Sequence, residues 1–324
     1  MNRLITRRWN HLAYRLISHQ IPREAMVDVV IVGGGPAGLS AALNLVRVRR
    51  SVRIVDAGQP RHLVSEGIQS NITNAGRSPM EFRRIAHEEL SAYGHLYSKR
   101  EGHVTDVQGR KGAFRVVLDD GSTEECRRVV LALGVVDEFP DIGGLQEKWG
   151  KSVHHCPWCW GWEGRGQRLG MLFDKAEAVV KLLIIHELAS VTVGFWNNND
   201  RAPDSVRNAL SERGIVLVEG RVTAFIGEGE KLTGVSVERT GTVPLDHVYI
   251  SPPQRQTPLV EGLGLELNEA GCVKVDDMLE TSLPGIYAAG DVITSRQQVH
   301  HAIHTGATAG GNVASDLITG SFCI

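Results

Sequence analysis

Two cysteines in a CxxC, Cys156 and Cys159, carry the most specific chemistry in the sequence. They lie in residues 154–163, HHCPWCWGWE, with Pro157 and Trp158 between them and Trp160, Trp162 and Glu163 after them. Sulfurs at this spacing can close a small disulfide ring. Inside a chain that otherwise reads as α/β, the pattern favours thiol–disulfide exchange over a structural staple. The competing readings are inert thiols and half of a zinc site. A structural zinc site needs a second Cys/His pair at ligand spacing. No second CxxC exists, and His154 and His155 lie too close in sequence to chelate easily beside these cysteines. No metal is expected.

Length and composition bound what can position the pair. At 324 residues the chain exceeds one average domain, and two are expected. Hydrophobic residues at 42% and charged residues at 22% are ordinary globular composition. A net charge of -2 gives no reason to expect nucleic acid or an anionic membrane as partner. The cysteines are Cys126, Cys156, Cys159, Cys272 and Cys323, an odd and sparse set that points to a reducing, cytoplasmic compartment. Residues 1–25 hold five arginines and no acid before Glu24. Leu4, Trp9, Leu12 and Leu16 give a weak amphipathic period, compatible with a surface-lying helix or a transit-like segment. A flexible or docked extension ahead of Met26 is the preferred reading. No apolar h-region and no apolar run of about 18 residues are present, so neither a secretory signal nor a transmembrane helix is predicted.

The first nucleotide-binding half follows. Val27 to Val32 is an apolar β run leading into Gly33-Gly34-Gly35-Pro36-Ala37-Gly38 and a helical stretch from Leu39 to Val46. This is GxGxxG between strand and helix. Gly33 permits the turn, Gly35 admits a pyrophosphate, and Gly38 lets helix pack on strand. A second strand, Ser51 to Asp56, ends in the acid that would accept hydrogen bonds from an adenosine ribose. Pro79 to Tyr93 reads as a polar helix. Val104–Val107, Phe114–Leu118 and Thr123–Val129 read as an antiparallel meander, and Val129 to Gly134 as a buried strand ending in glycine.

The second half repeats the layout. Arg168 to Asp174 reads as a strand, Ala176 to about Leu188 as a helix, and Ser190 to Trp196 as a strand. Its phosphate chemistry does not repeat. Phe173-Asp174-Lys175 stands where a glycine turn is due, and Asp174 would repel a pyrophosphate. Only Arg201 follows the second strand as a cation. Gly214–Val218, Val222–Phe225, Leu232–Val237 and Thr242–Tyr249 read as short strands. In the return segment, Thr281 to Val292 is a turn and a strand ending in Gly290-Asp291, a carboxylate suited to a flavin's ribityl hydroxyls. A helix beginning near Gln297 carries His300, His301 and His304. The fold class is therefore α/β: two Rossmann-like three-layer nucleotide-binding domains, the second inserted in the first. Residues 26–138 and 254–324 form the first, and residues 139–253 the CxxC-bearing second.

GGGPAG at 33–38, Asp56, LALG at 131–134, the CxxC and TSLPGIYAAGDV at 281–292 together resemble the low-molecular-weight thioredoxin reductase family. The likeness covers residues 27 to about 315. It is closer to a branch carrying HCPYCHGWE around the cysteines, which includes dithiol oxidases and thioredoxin reductases that do not use NADPH. The resemblance implies bound FAD, a homodimer and two domains that rotate between states. It implies that Cys159 is the sulfur nearer the flavin and Cys156 the one that exchanges with substrate. Gly33, Gly35, Gly38 and Asp56 would hold the ADP half and Asp291 the ribityl chain, with Pro36, Ala37, Gly134 and Gly290 completing the site. Two departures stand out. Trp160 occupies the place where reductases have an acid and the closer branch a histidine, and His155, His300 or His301 could replace the proton donor. The second nucleotide site is missing. The expected partners are a thioredoxin-like protein or a small-molecule dithiol, with ferredoxin or oxygen as electron partner. A flavoprotein redox sensor without turnover is the non-enzymatic alternative.

Overall fold

A computed structural model describes residues 26–198 and 201–320 of the chain. The amphipathic segment 1–25 and Cys323 lie outside the described residues.

Apolar residues on both faces make β1 (Val27–Val32) a central strand, with Val29, Val30 and Ile31 fully buried. The glycine turn follows, and Pro36 opens α1 (Pro36–Arg47), where its missing N–H costs nothing. β2 (Val52–Asp56) pairs parallel with β1. Ser78 caps α2 (Pro79–Ser91) by accepting from the Glu81 N–H. β3 (Tyr97–Glu101) adds a parallel edge to β2, and its mainly polar YSKRE hid it from pattern reading. β4 (Val104–Arg110), β5 (Ala113–Leu118) and β6 (Thr123–Leu131) are the expected antiparallel meander. β6 corrects one expectation. The two runs read as separate strands are one, antiparallel to β5 at its start and parallel to β1 along its later part.

The chain then crosses through β7 (Val136–Asp137) and a single turn, α3 (Leu145–Lys148), to a second unit. There β8 (Val153–His154), α4 (Pro157–Trp160) and β9 (Arg168–Phe173) flank the cysteines. The helix expected from Ala176 begins as a 3-10 turn over Ala176–Ala178 and becomes α5 (Val179–His186) only after it. β10 (Val191–Trp196) precedes α6 (Asp204–Ser211), which pattern reading missed although Val206 and Leu210 bury one face at i, i+4. β11 (Val216–Glu219), β12 (Val222–Ile226), β13 (Gly234–Val237), β14 (Gly241–Pro244) and β15 (His247–Tyr249) complete it. The run Thr242–Tyr249 is thus two strands in two sheets. Leu245 is fully buried at the corner, and Asp246 accepts from Arg168 Nε at 3.0 Å and Nη2 at 2.6 Å, which turns the chain from one sheet into the other.

The return crossing is β16 (Gln254–Arg255), followed by α7 (Pro258–Leu263), β17 (Ile286–Ala288) and α8 (Val299–Thr319). Among the described residues the strands form one sheet of order β3-β2-β1-β6-β5-β4 with β17 beside β6, and a parallel sheet of order β11-β10-β9-β15-β8. β12-β13-β14 form a third, antiparallel sheet, and β7 pairs with β16. α8 lies on α1 because both present small residues. A Cβ at Gly306 would stand 2.1 Å from the Ala37 carbonyl oxygen, and one at Gly310 2.5 Å from that of Ala41. This contact fixes the helix that carries the glycine turn. Among the described residues no helix is long and apolar enough to cross a membrane.

Candidate active site

Cys156 immediately precedes α4 and Cys159 lies within it, so one helical turn brings the sulfurs together. They form a disulfide with Cα atoms 5.3 Å apart. Cys156 is buried at 8% exposure, Cys159 is half-buried, and Trp158 between them projects outward at 56%. Both cysteines line a cavity of about 620 Å³ that runs from the second unit to the glycine turn of the first. His155 lines it beside them. At the other end Gly33, Gly35, Pro36 and Ala37 form one wall, with Asp56, Gly134, Gly290 and Asp291 around it. Gly38 sits behind the wall, where a Cβ would meet the Gly33 carbonyl oxygen at 2.0 Å. His300 and His301 are not brought to the cavity. His300 Nδ1 lies 3.2 Å from the Ser70 carbonyl oxygen, and the His301 ring faces that of His304 at 6.5 Å.

The dinucleotide end is built by close backbone approach. Gly33 has φ +107°, and a Cβ there would lie 2.3 Å from the Ala132 carbonyl oxygen, so no side chain fits. Around Gly35 nothing lies within 4 Å of where a Cβ would be. Asp56 accepts from the Gly34 N–H at 2.9 Å, and its other oxygen takes the guanidinium of Arg83. Arg83 was missed in the sequence because α2 reads as a polar surface helix, yet it is buried on the cavity wall. Two further wall atoms, His62 Nε2 and Thr257 Oγ1, are buried with no hydrogen-bond partner. Polar groups orphaned against a cavity mark where a ligand would supply the missing bonds. Burial pushes the Asp291 carboxyl up to about 6, with Arg61 pulling the other way.

Around the disulfide the walls are aromatic. Trp160 is clamped between imidazoles, with the His154 ring stacked at 4.0 Å and the His247 ring at 4.1 Å. His154 Nε2 stands 3.3 Å from His247 Nδ1. The position that lacks a proton donor is therefore filled by a rigid indole. Burial lowers His155 to about 4, helped by the charges of Arg61 and Lys181. Burial also lowers His247 to about 4, and His62 to about 4 with Arg83 and Arg61 adding to it. These rings are neutral when folded and titrate near 6.5 when unfolded. Below that pH the unfolded chain binds more protons, so their stabilisation is intact above 6.5 and lost as pH falls toward 4. Asp291 has the opposite sign, one group against three. The urea midpoint should drop across this window, and less steeply in His247→Asn. A flat midpoint would show that the rings are not held neutral.

His155 also overturns a premise. Proximity in sequence does not keep it from the sulfurs: a ring nitrogen of His155 and both Sγ atoms all lie within 4.8 Å of one another. Burial, with Arg61 adding to it, lowers Lys181 on α5 to about 8, and its Nζ donates to Ser251 Oγ at 3.0 Å. Arg61, in the loop after β2, grips the crossing strand. Its Nε and Nη2 donate to the two oxygens of Asp137 at 2.6 and 2.9 Å, and Nη1 reaches Gln297 Oε1 at 2.9 Å. Gln254 Nε2 donates to Asp137 at 2.8 Å. In the second turn, Asp174 and Lys175 are exposed between β9 and the 3-10 turn, and Arg207 beyond β10 is paired with Glu219 at 2.9 Å.

Comparison with known proteins agrees with this geometry. The model of the pyridine nucleotide-disulphide oxidoreductase family matches residues 27–185 and 177–306. Thioredoxin reductase sirT of Leptosphaeria maculans is 30% identical, over 89% of this chain and 94% of that protein. A solved oxidoreductase from Agrobacterium tumefaciens superposes with TM-score 0.84 at 32% identity, covering 91% of this chain and 99% of its own. The structure of HlmI gives TM-score 0.85 at 34% identity, covering 93% and 95%.

Proposed function

The chain belongs to the pyridine nucleotide-disulphide oxidoreductase family, and from that premise we propose that it is an FAD-dependent oxidase of a small dithiol that does not draw on NADPH. It is a thioredoxin reductase-like disulfide oxidoreductase in the coarser sense. The observation that carries the finer reading is the burial of Cys156. At 8% exposure it lines the cavity between the two units, a setting that suits a small-molecule substrate. The exposed Asp174 in the second turn, with no glycine beside it, supports a nucleotide domain that has given up its phosphate site.

The cavity fits FAD. Gly33 makes the tight turn and Gly35 leaves room for a pyrophosphate, while Asp56 would hold the adenosine ribose and Asp291 with the orphaned His62 and Thr257 atoms would offer further polar contacts. Bound FAD would supply a two-electron acceptor that restores the disulfide, with oxygen as terminal oxidant. The chain's own residues do the thiol chemistry. A substrate thiolate attacks Cys156 Sγ, the disulfide breaks, and Cys159 leaves as thiolate. The second substrate thiol then attacks its partner sulfur in the mixed disulfide, releasing Cys156 as thiolate and the substrate as disulfide. His155, neutral near pH 7, can accept a hydrogen bond from each substrate thiol in turn as its proton passes to water. Arg61 and Lys181, whose charges act on the His155 ring beside the sulfurs, would favour the thiolates formed.

We assign the FAD unit to residues 26–138 and 254–324, the dithiol unit to 139–253, and a homodimeric, cytoplasmic state to the protein. The separate sheets support the two units, the family resemblance the dimer, and the sparse, odd cysteine count the compartment. The test is the purified yellow protein mixed in turn with NADPH, NADH and a small dithiol under air. Dithiol should drive oxygen uptake while neither nicotinamide bleaches the flavin. Rapid bleaching by NADPH would refute the dead second site. The names of relatives favour a second reading, in which a thioredoxin-like protein is the product, with ferredoxin as the electron donor we expect there. Turnover only with reduced ferredoxin and thioredoxin would select it, and no turnover with any donor would leave a redox sensor.

A further inference from the structure

His155, Cys156 and Cys159 form a cluster whose use is not exhausted by redox exchange. We propose that, once the disulfide is opened, these three residues bind a soft divalent cation of the zinc and cadmium class. Three observations carry this. The His155 ring nitrogen and both Sγ atoms lie within 4.8 Å of one another, on one side of one turn of chain. CxxC is the spacing at which two thiolates bite a single tetrahedral zinc. Among the described residues no hydrogen bond occupies either ring nitrogen of His155, so a donor is left for a metal.

The dimensions agree. Zinc takes thiolate sulfur at about 2.3 Å and imidazole nitrogen at about 2.0–2.1 Å. Two sulfurs on one tetrahedral ion therefore stand about 3.8 Å apart, the separation that non-bonded sulfurs reach when a disulfide opens. Nitrogen and sulfur on one tetrahedral ion stand about 3.5 Å apart, so from a present reach of 4.8 Å a shift of about 1.3 Å completes a three-ligand face. The three donors line the cavity, so the fourth position opens inward, to water or to a substrate thiolate. Soft sulfur and imidazole select zinc or cadmium over magnesium or calcium, which take oxygen.

Binding depends on oxidation state, and the chemistry balances. An added phosphine with water reduces the disulfide, giving two thiols and the phosphine oxide. The divalent cation then displaces the two thiol protons, and the two thiolates cancel its charge. Oxidised protein offers only the imidazole. A bound cation occupies both sulfurs and blocks exchange until a chelator removes it, a consequence that rests on the proposed dithiol chemistry.

The experiment titrates cadmium into flavin-loaded protein held reduced by excess phosphine without oxygen. Sulfur-to-cadmium charge transfer is read in the ultraviolet as a difference spectrum, and zinc affinity by competition with a chelating dye. One cadmium per chain should bind the reduced protein and none the air-oxidised protein. Cys159→Ser should abolish the band. His155→Ala should keep both thiolates but weaken zinc by at least about ten-fold, the lower end for losing a metal-site contact. Absence of the band in reduced protein overturns the site, as does failure of phosphine to release the pair's thiols. Equal binding by oxidised protein or by Cys159→Ser places the metal elsewhere and overturns it too. Unchanged zinc affinity in His155→Ala removes the imidazole from the ligand set and overturns the three-residue assignment. Oxygen uptake driven by dithiol, measured on metal-free protein, is a separate readout. A cadmium band without turnover sinks the oxidase and keeps the metal site, and turnover without a band does the reverse.

Discussion

Cys156→Ser should abolish dithiol-driven oxygen uptake, by at least about a thousand-fold, while the protein stays yellow and folded. The magnitude follows from removing one member of a machinery that acts as a unit. A serine hydroxyl cannot form the mixed disulfide, and no neighbouring sulfur can replace it. Cys126 and Cys272, the other described cysteines, are buried on the core side of the first unit, and burial raises both thiols, Cys126 to about 12. The fold should survive, because the disulfide closes only a three-residue separation and so constrains little unfolded chain. Cys159→Ser should lose turnover as fully, but for a different reason: Cys156 is left as a free thiol, with no internal disulfide for a substrate thiolate to open. Mass spectrometry of the Cys159→Ser protein with a thiol-reactive disulfide should find one adduct at Cys156. Turnover within ten-fold of the parent in either variant would remove the pair from the mechanism.

Asp137→Ala should destabilise the protein by about 3 kcal/mol, the low end for breaking a buried ion pair. The Asp137 carboxylate is only 5% exposed and receives two bonds from Arg61 and one from Gln254. Removing it strands the guanidinium in a half-buried place that also lines the cavity. Arg61→Ala alone should cost a similar amount, by leaving the carboxylate unpaired. The double variant should cost clearly less than the sum, since each change removes the other's penalty. Urea midpoints of the four proteins form the cycle. Strict additivity would show that the contact does not couple the loop to the crossing strand.

What could be read from sequence was whatever depends on local pattern. The GxGxxG turn, Asp56, the Gly290-Asp291 turn and the CxxC are each defined within a few consecutive residues, and each lies where the geometry of a turn requires it. The misses have a common cause. β3 is an edge strand whose sequence satisfies water and not a core, so its alternation is faint. The split of Thr242–Tyr249 depends on Asp246 meeting Arg168, a partner 78 positions away. Arg83, Arg61 and Asp137 are ordinary charged residues in sequence, made special only when the fold buries them together. Closeness in the chain argues against His155 as a ligand beside the cysteines, yet the bend at His155, between a strand that ends at His154 and the helix after Cys156, brings its ring to the sulfurs. The clamp of His154 and His247 around Trp160 joins residues from two different strands, and no spacing along one strand could have announced it.

The two crossings between the units have a mechanical consequence. β7 and β16 run side by side, Gln254 opposite Asp137 and Arg255 opposite Val136. Two tethers spaced apart would let one body twist, slide and tilt against the other. Two tethers bonded into a single ribbon behave as a hinge pin, leaving one principal rotation about the ribbon's axis. Relative displacement of the disulfide and the glycine turn then reduces to one angular coordinate. A single pair of spin labels, one on each unit, is enough to follow it.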